Sequence, residues 1–464
     1  MPITFQNITI TGGLQLVSAD AAPPSGDPDW ANVSLLLNTT STNAQTNNTF
    51  LDGSTSNFTI TRTGTPTQGS FTPFTVAGGS SYSTATNGGS GYFPGSSYLT
   101  APSSTNFAFG TGDFTMECWV RFSSIGGGIT PLMQTDVVGS STSDKVWLGV
   151  NNNVLTLGQH ATPNAATTAW TPSTNTWYHV AAVRQSGTVK LFIDGVQQSV
   201  TNSTIFSSTS FGQNGFAVGA VSTPVYLTGY MSSVRVVKGT AVYTASFTPS
   251  TTPLTAISGT SLLLNFTNAG MYDAATKNNM TSVGSAQVST TQAKWSPTSL
   301  RIAGGTDVLT MPSSSNFNVG SSDFTLEAWI YVSAYVSSSA IFGNGSGFSP
   351  FLIFIGASSE ITFYSSTNGS TWAISDLRFA TNPATGTWHH VAVTRSGTTF
   401  RTFFNGTLAN SATLAGALYN NPSDVTIGRY TNSFNGYIQD LRLTKGVARY
   451  TASFTPPTAA FPTF

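Results

Sequence analysis

The chain reads as an all-β protein: two tandem antiparallel β-sandwich domains of jelly-roll type, preceded by a short N-terminal arm. Three observations predict this. A set of motifs is written twice, about 210 residues apart, far beyond the period of roughly 20 to 50 residues that marks solenoids and propellers. Within the repeated segments, apolar residues alternate with a period of two. Long helical periodicity is absent, and 45 glycines and 22 prolines punctuate the chain, so two packed antiparallel sheets per copy are the natural solution.

The elements follow in order. Asp113-Phe-Thr-Met-Glu-Cys-Trp-Val120 returns as Asp323-Phe-Thr-Leu-Glu-Ala-Trp-Ile330. Phe114, Met116, Cys118 and Val120 fall on one face of the predicted strand, and Thr115, Glu117, Trp119 and Arg121 on the other. Trp177-Tyr-His-Val-Ala-Ala-Val-Arg184 answers Trp388-His-His-Val-Ala-Val-Thr-Arg395, and Phe192-Ile-Asp-Gly195 answers Phe403-Phe-Asn-Gly406. The exchange of Asp for Asn before Gly is what a tight hairpin with positive φ accepts. The longest match joins Gly229–Pro249 to Gly436–Pro456, and both copies close on Tyr-Thr-Ala-Ser-Phe-Thr-Pro.

Turn spacing predicts about a dozen strands per copy. Val33-Ser-Leu-Leu-Leu-Asn38 and Ser261-Leu-Leu-Leu-Asn-Phe266 are matched opening strands, one for each domain. The expected organisation is an arm over 1–31, a first domain over 32–253 and a second over 254–464, joined by the short Pro- and Thr-rich link Phe247–Leu254. In the arm, Ile3, Phe5, Ile8, Ile10, Leu14 and Leu16 suggest a strand or hairpin that anchors the protein or brings copies together.

Composition narrows the function classes. Only 7% of residues are charged, and 17 basic residues balance 17 acidic ones, so there is no basic footprint for nucleic acid or anionic lipid. Aliphatic runs such as Phe351-Leu-Ile-Phe-Ile355 stop far short of the roughly 20 apolar residues of a membrane span, so no membrane insertion is expected. The N-terminus lacks the basic start and apolar stretch of a secretory signal. The single cysteine, Cys118, has Ala328 in its matched place and reads as a small core filler.

Little in the sequence points to catalysis. The three glutamates, Glu117, Glu327 and Glu360, have no second carboxylate at i+2 or i+4, so the paired carboxylates of a retaining glycosidase, about 5 to 5.5 Å apart, are not in view. Glu117 and Glu327 are expected to pair across the sheet with an arginine such as Arg184 or Arg395. His179, His389 and His390 lack neighbouring ligands at metal spacing and read as structural. No cofactor is expected.

The octet, the Trp-x-His-Val-Ala strand, the Asp/Asn-Gly hairpin and the closing Gly-Tyr-x-x-x-x-Arg motif, repeated in order, resemble the laminin-G-like branch of the concanavalin A-like lectin/glucanase superfamily. Asn47–Arg62, Thr67–Phe74, Gly91-Tyr-Phe-Pro-Gly95 and the ending Tyr450–Pro457 are similar to laminin-G-like domains in virion proteins of marine bacteriophages, cyanophages above all. The resemblance implies a non-enzymatic structural protein on the particle surface, a decoration or tail fibre. Its partners would be capsid or tail proteins reached through the arm, further copies of the chain, and a host-surface glycan. The alternatives are a non-viral extracellular adhesin and, behind it, a glycoside hydrolase.

The resemblance also implies sites. Glycan contact would fall to aromatic residues in loops at a sheet rim or concave face: Trp147, Trp170 and Tyr226 in the first copy, Tyr364, Trp372 and Tyr430 in the second. Calcium is the one metal to consider, with Asp52, next to Asn57, and Asp273, next to Asn278, as oxygen donors.

Overall fold

A computed structural model describes residues 26–464 apart from 77–79, 137, 139–143, 160–161, 213–214, 222–224, 296 and 345–346. The apolar hairpin expected within residues 1–25 lies outside the described residues. Each copy of the repeat forms two facing sheets. In the first, Thr188–Ile193, Trp177–Gln185, Phe114–Phe122, Thr228–Lys238 and Ser90–Pro94 run side by side in an 8-stranded sheet. It packs against a 7-stranded sheet centred on Val146–Asn151 and Ile129–Thr135. In the second, Thr399–Phe404, Trp388–Ser396, Phe324–Ala334 and Asn435–Lys445 repeat that order in a 9-stranded sheet, facing an 8-stranded one.

The period-two pattern is realised as predicted. Phe114, Met116, Cys118 and Val120 all enter the first core, with Leu148, Leu155 and Leu157 from the opposite sheet, and Phe324, Leu326, Ala328 and Ile330 enter the second. Burial pushes the Cys118 thiol far up, as befits a core filler. The hairpins are tight turns with positive φ at both central residues, 48° and 76° at Asp194-Gly195 and 48° and 78° at Asn405-Gly406. The exchange of Asp for Asn keeps the turn because the oxygen shared by both side chains accepts the same backbone N–H, while the Asn405 amide adds a contact with His389 Nδ1 at 3.2 Å. Asp194 Oδ1 receives the N–H of His179 at 2.8 Å, and Asn405 Oδ1 that of His390 at 2.9 Å.

The opening strands are where the structure departs from the sequence reading. Val33–Thr39 does not pair within the first domain. It lies antiparallel to Asn435–Lys445 of the second, with Leu36 opposite Arg442. Thr260–Leu264 in turn lies against Thr228–Lys238 of the first, with Leu263 opposite Arg235. Leu35 and Leu37 therefore fill the second core, and Leu262 and Leu264 the first. A boundary at 253/254 does not divide the folding units, because each domain is completed by a strand on the far side of it. The short link carries the chain from Phe247 directly onto the neighbouring edge of the first sheet, which leaves the matching edge of the second for Val33–Thr39.

Candidate functional site

The repeated glutamates come first, because their position on the sheet invites a catalytic reading. Glu117 Oε1 accepts from Arg235 Nε at 2.8 Å, and Oε2 accepts from the Tyr243 hydroxyl at 2.6 Å and lies 3.2 Å from His179 Nε2. Glu327 repeats the set: Arg442 Nη2 at 2.7 Å, the Tyr450 hydroxyl at 2.9 Å and His390 Nε2 at 3.3 Å. Both carboxylates are fully buried. Burial alone would raise the Glu327 pKa, but Arg442 and His390 outweigh it and hold the group down at about 2. Such a carboxylate is a charged strut, and at Glu327 the Arg442 guanidinium also donates through Nη1 to Asp27 Oδ2 at 2.7 Å.

The expected arginine partners are corrected here. Arg184 donates to the carbonyls of Gly112 at 2.8 Å, Thr209 at 2.8 Å and Gly110 at 2.6 Å. Arg395 does the same at Gly320 and Gly416. These two guanidiniums satisfy loop carbonyls, while Arg235 and Arg442, on the adjacent strand and in register with the glutamates, form the ion pairs. The closing motif is the cover of each strut. Tyr243 stacks on Phe247 and Tyr450 on Phe454, at 3.6 and 3.5 Å between ring centroids.

The aspartates considered for calcium are also structural. Asp52 accepts from the N–H groups of Ser54, Phe58 and Leu263 and from the Ser54 hydroxyl. Asp273 accepts from the N–H groups of Leu36, Ala275, Lys277 and Asn278 and from the Asn278 amide. A carboxylate ringed by donors offers a cation no free lone pairs. Among the described residues, no cluster of three His, Cys, Asp or Glu side chains could hold a metal ion.

The aromatic candidates divide by copy. Trp147 lies in the strand Val146–Asn151, not in a loop, and is 4% exposed; its ring fills the space over Gly158, where a Cβ would collide with it. Trp170 packs edge-on against Phe122 and Tyr178 at the margin of the core. Tyr226 stacks on Tyr98 at 6.1 Å. The structure does not bring these three together.

In the second copy the candidates converge. Strand alternation sends Ile361 and Phe363 into the core and turns Tyr364 outward, and on the neighbouring strand it sends Ile353 and Ile355 inward and leaves Phe354 outside the core. Tyr364 meets Trp372 at 5.2 Å and Phe354 at 5.7 Å; Trp372 meets Phe348 at 5.1 Å, and Phe354 meets Tyr430 at 5.7 Å. Five rings thus form one connected run on the outer face of the second sheet. Phe348 is 36% exposed and the other four are half-buried. The Tyr430 hydroxyl donates to Gly347 O at 3.1 Å, which pins one end.

Polar groups border the run. Arg378 and Asp376 form an exposed pair on the next strand, Nη2 to Oδ2 at 2.7 Å. Asp376 and Glu360 are close enough to add to the burial that raises the Tyr364 hydroxyl pKa. Apolar ring faces beside charged and hydroxyl groups suit a ligand that is itself apolar on one side and polar at its edges. Phe348 and Phe354 were missed from sequence. The signal for Phe354 was present, since it sits out of phase with Ile353 and Ile355.

Comparison with known proteins agrees with this architecture. A family model described as the concanavalin A-like lectin/glucanases superfamily, of laminin G type, matches residues 93–243 and 303–448. The chain belongs to that family. No curated protein sequence matches significantly. Among solved structures, the binding domain of Paraclostridial Mosquitocidal Protein 1 is 14% identical with a TM-score of 0.32, over 38% of this chain and 46% of that one. The chain therefore spans about half the length of that structure. Domain 4 of an extracellular arabinanase from Geobacillus stearothermophilus, solved with arabinotriose, is 14% identical with a TM-score of 0.31, over 38% and 86%. Domains LG4-5 of the mouse laminin alpha1 chain are 12% identical with a TM-score of 0.28, over 87% and 94%. At these identities and scores the likenesses add nothing to what the family match shows.

Proposed function

We propose that the protein is a non-enzymatic virion structural protein, a surface decoration or tail fibre, which displays two lectin-like sandwiches and touches a host-surface glycan with the second. The observation that carries the glycan contact is the run Phe348, Trp372, Tyr364, Phe354 and Tyr430. Partly exposed aromatic runs on an otherwise hydroxyl-rich surface mark interaction sites. A sugar stacks its C–H face on such rings and directs its hydroxyls to groups such as Asp376 and Arg378. The particle assignment is supported by the phage-like wording of Asn47–Arg62 and Tyr450–Pro457. Anchoring through residues 1–31 and assembly of several copies complete the reading.

Two experiments test it. A glycan screen of the whole chain, followed by titration of the best binder against Trp372→Ala, should show at least a tenfold loss of affinity with unchanged folding; equal affinity would remove the site. Mass spectrometry and immunogold labelling of purified particles should place the protein at fixed positions on a virion, whereas labelling of cell surfaces would favour the adhesin.

A further inference from the structure

A cavity lies where the two domains meet, on the side of the first domain's 8-stranded sheet that faces away from its core. Its volume is about 500 Å³, within the usual range for small-ligand sites, roughly 300 to 1,000 Å³. One wall holds Tyr92, Arg121, Tyr230 and Phe71 from the first domain, and the other is the Pro312–Asn316 segment of the second, with Lys277 and its neighbours.

The two walls differ in what they have left to offer. On the second, the side-chain donors are already committed: Lys277 Nζ donates to backbone carbonyls of Ala31 and Val33, and the Asn316 amide donates to Lys277 O and Asn278 Oδ1. On the first they are not. The Arg121 guanidinium sits 5.2 Å from the Phe71 ring centroid and 5.6 Å from that of Tyr230, with no carboxylate partner among the described residues. Tyr92 and Tyr230 pack against each other at 4.8 Å, and Asn175, in the left-handed region at φ 62°, also lines the space. The charged groups facing the cavity are thus Arg121 and Lys277, with exposed Asp424 near the Tyr92 and Tyr230 hydroxyls at the margin.

We infer that this cleft is a second saccharide site, selective for sugars bearing an acidic substituent, a carboxylate or a sulfate ester, which would pair with Arg121 while the pyranose ring lies against Tyr92. A guanidinium held on two rings is pre-organised, and its planar donors match a carboxylate or sulfate in bidentate fashion. Because strand exchange ties the domains together, both walls are fixed before a ligand arrives, which limits the ordering cost of binding. The inference rests on the glycan-binding reading but uses different residues from the ring run on the second domain.

The test is calorimetric titration of the whole chain with three probes: a galacturonic acid trimer, a sulfated galactan oligosaccharide and the matching unsubstituted galactan oligomer. At least one acidic probe should bind at least tenfold more tightly than the neutral oligomer. That preference should vanish in Arg121→Gln, and affinity for the acidic probe should fall severalfold in Tyr92→Ala, which removes the stacking ring and tests the cleft if the first variant fails to fold. A Trp372→Ala control should retain the preference. Equal binding of acidic and neutral probes, or preference retained in Arg121→Gln, overturns the cleft assignment and leaves the ring run standing. Absence of saturable binding of either acidic probe at millimolar concentration overturns it as well; loss of neutral binding in Trp372→Ala would still report separately on the first site.

Discussion

Asp273 accepts the backbone N–H of Leu36 at 3.0 Å, across 237 positions of sequence. Its counterpart Asp52 accepts the N–H of Leu263 at 3.0 Å, across 211. Each aspartate holds a strand that belongs by sequence to the other copy, so the two domains are interlocked by a reciprocal exchange. Asn47 adds to the tie by bonding the backbone of Met271 and Met280 through its amide.

Interlocking predicts that the halves 26–253 and 254–464 do not fold alone. Each would lose a leucine-rich strand and leave its sheet partner unpaired, and full burial of each such leucine contributes about 1.5 to 3 kcal/mol. Circular dichroism of the separate halves should show no cooperative melt, whereas the intact chain should unfold in one transition. Independent melting of the two halves would contradict the exchange.

Asp273→Ala should be among the most damaging single changes, because it leaves several buried N–H donors without an acceptor. A loss of about 3 to 5 kcal/mol is expected. Denaturant titration reads this directly.

The Glu327 strut has a pH signature. A carboxyl held at about 2 against an ordinary value of 4.5 contributes stability above pH 4.5 that is lost as pH falls toward 2. Glu327→Gln should unfold more easily at pH 7, by roughly 1 to 3 kcal/mol, since Arg442 loses one buried carboxylate partner and keeps Asp27. It should also lose this acid-limb dependence. Sugar binding by folded protein should be unchanged, which separates the strut from the binding site.

Asp440 behaves oppositely. Burial, opposed by the N–H of Phe461, leaves its carboxyl raised to about 7 from an ordinary 3.8. The folded state therefore holds this proton more tightly. The resulting stability is complete below pH 3.8 and is lost as pH rises through about 7. Asp440→Asn should flatten the slope of melting temperature between pH 4 and 7, and an unaltered slope would refute the assignment.

Much of the fold was legible because its repeated motifs are mostly core. The octet's period of two, the Asp/Asn-Gly turns and Cys118 in place of Ala328 all follow from local geometry and volume. The exchange was not legible, since Val33–Asn38 and Ser261–Phe266 carry the same Leu-Leu-Leu pattern and either could complete either sheet. Arg184 and Arg395 misled for a similar reason: their strand neighbours the glutamates, but only the register and the other flanking strand decide which arginine pairs. Trp147 resembled a free aromatic until Gly158, a strand away, proved to make room for its ring. Tyr364, Trp372 and Tyr430 were named singly, and only sheet pairing could reveal that they adjoin.

The central functional claim is that the ring run binds saccharide. The most direct measurement is a glycan array probed side by side with the wild-type chain and a Tyr364→Ala/Trp372→Ala double variant of matched stability. The account predicts discrete wild-type binders whose signal falls to background in the double variant. Binders retained at full strength by the variant would contradict it.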